Sequence, residues 1–364
     1  MRKAIPHINL DLTRSAVLVA LCGLFLGEAI ACEARGDLKQ ICGVQSPEDL
    51  EVLPESHDIL ISEMAGAHGE PGRFAYLDAR NDRLHEVVRE RSAVPDWGDP
   101  ACQERSPEQL SPHGIHLSPL PDGRWLLLAI NHGDRESVQA FDVTARGDEI
   151  RFAWRGCVDT DYNFNDVAAT PDGFIATHQF DKARGEGSHA EQFLFGGANT
   201  GFAVRWRRSG GFEKVPGTDA AFPNGISVSS DGKTAWMAAT TGREVRKIDL
   251  IRNAVVQAAR LPLAPDNLSW SAGGDLLVTG ALDVHQLVSC ANHEQRCPVP
   301  FAVARIDPST LRSHIIFRND GRLLLGASVA VIADNHIYIG SFSGDHLLQA
   351  PAPLLPHRSL DRTR

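Results

Sequence analysis

Residues 223–239 read PNGISVSSDGKTAWMAA: a polar pair at Asn224-Gly225, an alternating apolar stretch, an Asp231-Gly232 turn and a second apolar stretch. That is the pattern of two antiparallel strands joined by a tight turn. It is one of six copies. The others are PEDL (47–50) before ILISEM (59–64), PHGI (112–115) before WLLLAINH (125–132), FNDV (164–167) before FIATHQ (174–179), PDNL (265–268) before DLLVTG (275–280) and GASV (326–329) before HIYIGSF (336–342). Counted from the second residue of each copy, the intervals are 65, 52, 59, 42 and 61. Asp122-Gly123 and Asp172-Gly173 supply further turns, and outer strands follow, as in GFAVRW (201–206) and FAVARI (301–306). A repeat of this length, rich in short strands and poor in helical periodicity, fits a four-stranded propeller blade. The sequence therefore predicts an all-β, six-bladed β-propeller over residues 32–349. A sandwich gives no reason for one residue pair to recur at six strand starts.

The composition agrees. Of 364 residues 43% are hydrophobic and 23% charged, the makeup of a globular chain with ample core. The 46 acidic and 36 basic side chains leave a formal charge of −10, and no Lys/Arg-rich stripe offers to neutralise phosphates, so nucleic acid is excluded as a partner. Arg2, Lys3 and Arg14 precede an apolar run from Ala16 to Gly27, short for a bilayer span and suited to the core of a secretory signal. Ala29-Ile30-Ala31 supplies the small residues of a cleavage site, so residues 1–31 read as a signal peptide and the protein as secreted or periplasmic. A cysteine directly after the cut opens a second reading, a lipid anchor on Cys32. The stretch 350–364 reads as a flexible tail.

Export favours disulfides over free thiols. Cys22 leaves with the signal, and Cys32, Cys42, Cys102, Cys157, Cys290 and Cys297 remain, none with the CxxC spacing of a zinc site. Six cysteines allow 15 connectivities. Short loops favour Cys290 with Cys297 and Cys32 with Cys42, which leaves Cys102 with Cys157.

In a propeller the first strand of each blade lines the central channel, so the residues that start these strands meet around one axis. The first position of the recurring pair holds Glu48, His113, Asn165, Asn224, Asp266 and Ala327; the second holds Asp49, Gly114, Asp166, Gly225, Asn267 and Ser328. Taken singly, an Asn or Asp before a strand is an ordinary turn residue. Gathered in one register, Glu48, Asp266, Asn165, Asn224 and Asn267 would bury charge at high cost without a cation. Their donor set is all oxygen, which selects a hard, large ion, and calcium fits best. Asp49 and Asp166 follow two of these residues directly. On alternating strand geometry they face a second cation nearby, although a capping role in a turn weighs against that reading.

At these residues the sequence resembles the paraoxonase/arylesterase family of calcium-dependent six-bladed propellers, in register over roughly residues 42–349. The motifs that carry it are PEDLEVLP, SPHGIHLS, LLLAINH, NFNDVAATPDG, FPNGISVSSDGK, APDNLSW and ASVAVI. The resemblance implies a catalytic calcium held by Glu48, Asn165, Asn224, Asp266 and Asn267, and a structural calcium bound by Asp49, Asp166 and the carbonyl of Ile115. It also places a histidine dyad at His113 and His132. The residues agree, since His113 begins an inner strand and His132 ends the hairpin strand that returns to the same face. Two departures stand out. Gln349 matches the cysteine that ties the last strand to the N-terminus in the family's vertebrate members, so closure must come from strand pairing. The Gly-rich segment between Asp181 and Thr200 has little likeness to the family's loop over the active site.

The leading functional reading is a calcium-dependent hydrolase of small-molecule lactones or aryl esters, an arylesterase or lactonase. A gluconolactonase-like sugar lactonase stands close to it, because the related propellers also use Glu, Asn and Asp at channel positions. A non-enzymatic propeller in which calcium is purely structural and the top face binds a partner is the reading from another class.

Overall fold

The computed structural model describes residues 32–353 except 55, 67–69, 92–95, 104–108, 121, 147–148, 186–189 and 292–297. The expected signal peptide and the Cys290–Cys297 bridge lie outside these residues. The described chain is a ring of six sheets, numbered here as blades 1 to 6 in chain order. Their inner strands are Pro47–Val52, Pro112–Pro119, Phe164–Thr170, Pro223–Val228, Ala264–Trp270 and Ala327–Ala333. Each is the sequence copy from which the fold was inferred.

The hairpin turns follow their chemistry. Gly232 adopts φ 68°, a left-handed value that costs glycine little, and Asp231 Oδ1 accepts from the Lys233 amide and the Ser229 hydroxyl. The pair Asp172-Gly173 behaves differently. Gly173 opens the next strand opposite Arg207, and the Asp172 carboxylate instead takes ion pairs from Arg205 and Arg207.

Closure is by pairing. Leu38–Cys42, from the start of the described chain, adds to the last strand, His346–Pro351, with Lys39 opposite Gln349 and Cys42 opposite His346. Gln349 itself donates to Asp82 Oδ1 at 2.9 Å and to the Tyr338 hydroxyl at 3.0 Å. The tail expected from residue 350 overlaps this strand by two residues, because Ala350 and Pro351 still pair with Ile337 and His336. A Cys32–Cys42 disulfide fastens the closing strand, and a Cys102–Cys157 disulfide ties the segment before blade 2 to that blade's outer strand, Glu149–Asp159.

The core lies between neighbouring blades. Phe74 of blade 1 packs against Phe141 and Phe152 of blade 2 with ring centroids 5.5 and 5.2 Å apart. Phe152 is fully buried, and burying a phenylalanine contributes about 1.5–3 kcal/mol. One feature has no signal in the hydrophobic pattern: Val88–Arg91 and Trp97–Gly98 add in parallel to the outer strand of blade 2.

Candidate metal centre and histidine pair

All six inner strands slip register against their neighbours at or beside the recurring pair, between Pro47/Asp49, Pro112/Ile115, Phe164/Val167, Pro223/Ile226, Pro265/Leu268 and Ala327/Ala330. A β-bulge inserts an extra residue and re-aims the side chains around it. Strict alternation, which would send the two members of each pair to opposite faces, therefore does not apply here. The first-position Glu48 and the second-position Asn267 meet, with Asn267 Nδ2 donating to Glu48 Oε1 at 2.7 Å.

Side chains at the second position alternate in size around the ring. Odd-numbered blades carry Asp49, Asp166 and Asn267, and even-numbered blades carry Gly114, Gly225 and Ser328. The reason is space. A Cβ on Gly114 would stand 2.3 Å from Asp166 Oδ1, and one on Gly225 would stand 2.6 Å from the Asn267 Cα.

The structure brings the five expected calcium ligands together. Glu48 is 1% exposed, and Asn165, Asn224 and Asn267 are buried with it. One oxygen on each of these four, Glu48 Oε2, Asn165 Oδ1, Asn224 Oδ1 and Asn267 Oδ1, has no hydrogen-bond partner. Orphaned buried oxygens are costly, and four of them on the recurring pairs of one ring suit a positively charged ligand. Asp266 completes the set. Burial raises its carboxyl well above the usual range, and the nearby Glu48 charge adds to this. Burial likewise pushes Glu48 up to about 8. The residues present fit a calcium ion: two carboxylates and three amides, all oxygen donors. Cys102, Cys157 and Asp159 also converge, but the two sulfurs bond one another and are lost as thiolate ligands.

Asp49 and Asp166 stand one step further along the strands and tie blade to blade. Asp49 Oδ2 accepts the Ile115 amide at 2.8 Å and Asp166 Oδ2 the Ile226 amide at 2.6 Å, while each Oδ1 accepts the next amide of its own strand. These bonds match the capping role weighed for the pair. They do not remove its charge problem: burial raises both carboxyls well above their usual range, and the charge of Asp49 raises Asp166 further.

His113 lies at the edge of this cluster. Asn165 Nδ2 is 3.3 Å from its Nε2, and Glu48 Oε1 is 3.5 Å away. Its Nδ1 is 2.9 Å from His132 Nε2, so the two predicted histidines do pair. Burial pushes the His113 imidazole down to about 4, which keeps it neutral and able to accept a proton. Asn131 fixes the turn that carries His132. Its Oδ1 accepts the Ser111 and Gly133 amides, and its Nδ2 donates to the Arg135 carbonyl.

Sequence reading missed two groups behind the dyad. Glu136 Oε2 is 2.7 Å from His132 Nδ1, and Lys182 Nζ pairs with Glu136 Oε1. The one available signal was the spacing of four between His132 and Glu136. Ser328, the second-position residue of blade 6, donates from its hydroxyl to the Glu48 carbonyl at 2.6 Å.

Fold and site together define a six-bladed propeller with an oxygen-lined axial site flanked by a histidine pair. Residues 103–347 match the arylesterase family, and the chain belongs to it. That match includes His113, His132, Asn165, Asn224, Asp266 and Asn267; Glu48 and Asp49 lie ahead of it. No curated protein matches the sequence. Among solved structures, a gluconolactonase from Xanthomonas campestris is similar at 16% identity over 87% of this chain and 89% of its own, with a TM-score of 0.50. A luciferin-regenerating enzyme is similar at 12% identity over 86% and 95%, with a TM-score of 0.51. At such identities the likeness is one of fold.

Proposed function

We propose that this protein is a calcium-dependent hydrolase of lactones or aryl esters. The observation that carries the reading is the convergence of four unpartnered buried oxygens beside a neutral, acceptor-ready histidine. Glu48, Asn165, Asn224, Asp266 and Asn267 would hold the ion. When bound, calcium supplies Lewis-acid stabilisation of the negative charge that develops on a carbonyl oxygen under attack. His113 takes the proton of the attacking water on its Nε2, and His132 orients the His113 ring. Asp49 and Asp166, with the Ile115 carbonyl, form the proposed structural site, where a second cation would offset two buried carboxylates.

The reading includes export. Two disulfides among the described residues are at home in an oxidising compartment, and no described helix is long and apolar enough to cross a membrane. The test is a hydrolysis screen of purified protein against lactones, aryl acetates and phosphotriesters, with and without a chelator. Chelator-sensitive turnover of an ester or lactone is the expected result. Turnover of sugar lactones alone moves the assignment to a gluconolactonase-like enzyme. No turnover with calcium bound overturns the hydrolase reading in favour of a binding propeller.

A further inference from the structure

We propose that Glu136 is a positioning residue of the histidine pair: braced by Lys182, its carboxylate fixes the ring protons of His132 and His113 so that His113 Nε2 is the free acceptor at the axial site. The inference deepens the hydrolase reading and rests on it for its kinetic consequence alone.

The argument is one of donors and acceptors. An ionised carboxylate only accepts hydrogen bonds, and a neutral imidazole offers one N–H and one lone pair. Glu136 Oε2 sits 2.7 Å from His132 Nδ1, so that nitrogen carries the proton and His132 Nε2 presents a lone pair. His113 Nδ1, 2.9 Å from that lone pair, must then be the donor. The proton of His113 is thus spent on the side away from the site, and its Nε2 is left unprotonated, where Asn165 Nδ2 approaches at 3.3 Å. With Asn165 Nδ2 turned to His113, it is the amide's Oδ1 that has no hydrogen-bond partner. Reversing the order would set a lone pair of His132 against the Glu136 carboxylate. It would also move the His113 proton to Nε2, which could then accept nothing.

Lys182 secures the charge on which this depends. Its ammonium pairs with Glu136 Oε1, the oxygen not facing His132. It arrives from the connection after the second strand of blade 3, Gly173–His178, which returns to the same end of the channel as the recurring pairs. Asp181 shapes that turn, with its Oδ1 accepting the Ala183 amide at 2.9 Å and its carbonyl accepting the Arg184 and Gly185 amides. The segment that departs from the family's pattern thus reaches the histidine pair through Lys182. A second-sphere carboxylate on a histidine is an established way of setting ring orientation and tautomer.

The experiment reads tautomers directly. Full-length protein with ¹⁵N-labelled histidine is examined by long-range ¹H–¹⁵N correlation, with calcium present, alongside Glu136→Ala and Glu136→Asp. In the wild type both His113 and His132 should show protonated Nδ1 and unprotonated Nε2. Glu136→Ala should give a mixture of both tautomers at His132. Its kcat on the best ester or lactone should fall by about 10–100-fold with little change in KM. Glu136→Asp, which keeps the charge, should restore the wild-type tautomer and part of the rate. A wild-type His132 protonated on Nε2 overturns the proposal, as do unchanged tautomers in Glu136→Ala. Should the wild type hydrolyse nothing, the tautomers alone decide: their loss in Glu136→Ala upholds the positioning role while the hydrolase reading fails separately.

Discussion

Asn267 Nδ2 donates to Glu48 Oε1 at 2.7 Å, joining blade 5 to blade 1 across 219 positions of sequence. The same amide lies 3.3 Å from the Glu48 carbonyl, which also accepts the Ser328 hydroxyl at 2.6 Å. Glu48 is thus clamped from two other blades, and its second carboxylate oxygen is left buried without a hydrogen-bond partner. A buried carboxylate held this way is poised for a cation and costly without one.

Glu48→Gln tests that cost. Removing the charge should make the metal-free protein more stable than metal-free wild type at neutral pH, with about 2–4 °C in Tm for each kcal/mol recovered. The same change should shrink the rise in Tm that calcium gives the wild type. Thermal unfolding with chelator and with saturating calcium measures both. A metal-free variant that melts below metal-free wild type would show that the carboxylate is compensated by something other than a cation.

The pH dependence has a definite sign. Glu48 and Glu51 are both pushed up to about 8 chiefly by burial, from an ordinary value of 4.5. Because the folded values lie above the unfolded ones, folding favours the protonated form. This contribution is complete below the unfolded value and is lost as pH climbs through the folded one. With a chelator present, Tm should fall between about pH 5 and about pH 8, and the gap between chelated and calcium-loaded protein should widen over the same range. A chelated protein that gains stability over this interval would contradict the burial argument.

His113 and Asp266 separate proton transfer from metal binding. General-base assistance contributes about 10²–10⁴-fold, so His113→Gln should lower kcat by that order while calcium affinity stays near the wild-type value. Asp266→Ala removes a carboxylate from the donor set and should lose metal and activity together. Calorimetric calcium titration beside steady-state kinetics distinguishes the two. Full activity in His113→Gln on every substrate the wild type accepts would remove His113 as the base.

Much of this was legible in the sequence because a propeller repeats one strand start around one axis. Glu48, Asn165, Asn224, Asp266 and Asn267 all fall on the recurring pair, four at its first position and Asn267 at its second, and the repeat carries all five to one end of the channel. The bulges were not legible, since nothing in the alternation of FPNGISV marks a slip of register between Pro223 and Ile226. Glu136 and Lys182 escaped for another reason. They lie outside the repeat, one in a turn and one in a segment with no pattern, 46 positions apart, and only tertiary structure makes them neighbours. The alternation of Asp49, Asp166 and Asn267 with Gly114, Gly225 and Ser328 was visible as letters. Its meaning needed the distances, because crowding at the axis is a property of the closed ring.

That crowding yields the last prediction. A Cβ on Gly225 would meet the Asn267 Cα at 2.6 Å, the Asp266 carbonyl oxygen at 2.7 Å and the Leu268 amide nitrogen at 2.8 Å. All three are backbone atoms, so no side chain can swing aside, and relief must come from moving the strand that carries two proposed metal ligands. Gly225→Ala should therefore cost about 1–3 kcal/mol of stability and weaken calcium binding as well. Gly123 provides the comparison. It holds φ 81° in the turn of blade 2 and has nothing within 4 Å of its Cβ position, so Gly123→Ala should also lose stability, by roughly 1 kcal/mol, through backbone strain alone. Calcium affinity should be unchanged in that variant. Denaturant unfolding paired with calcium titration compares the two directly. If Gly225→Ala keeps wild-type calcium affinity while losing the same stability as Gly123→Ala, the packing of Gly225 against blade 5 supports the fold and not the placement of Asp266 and Asn267.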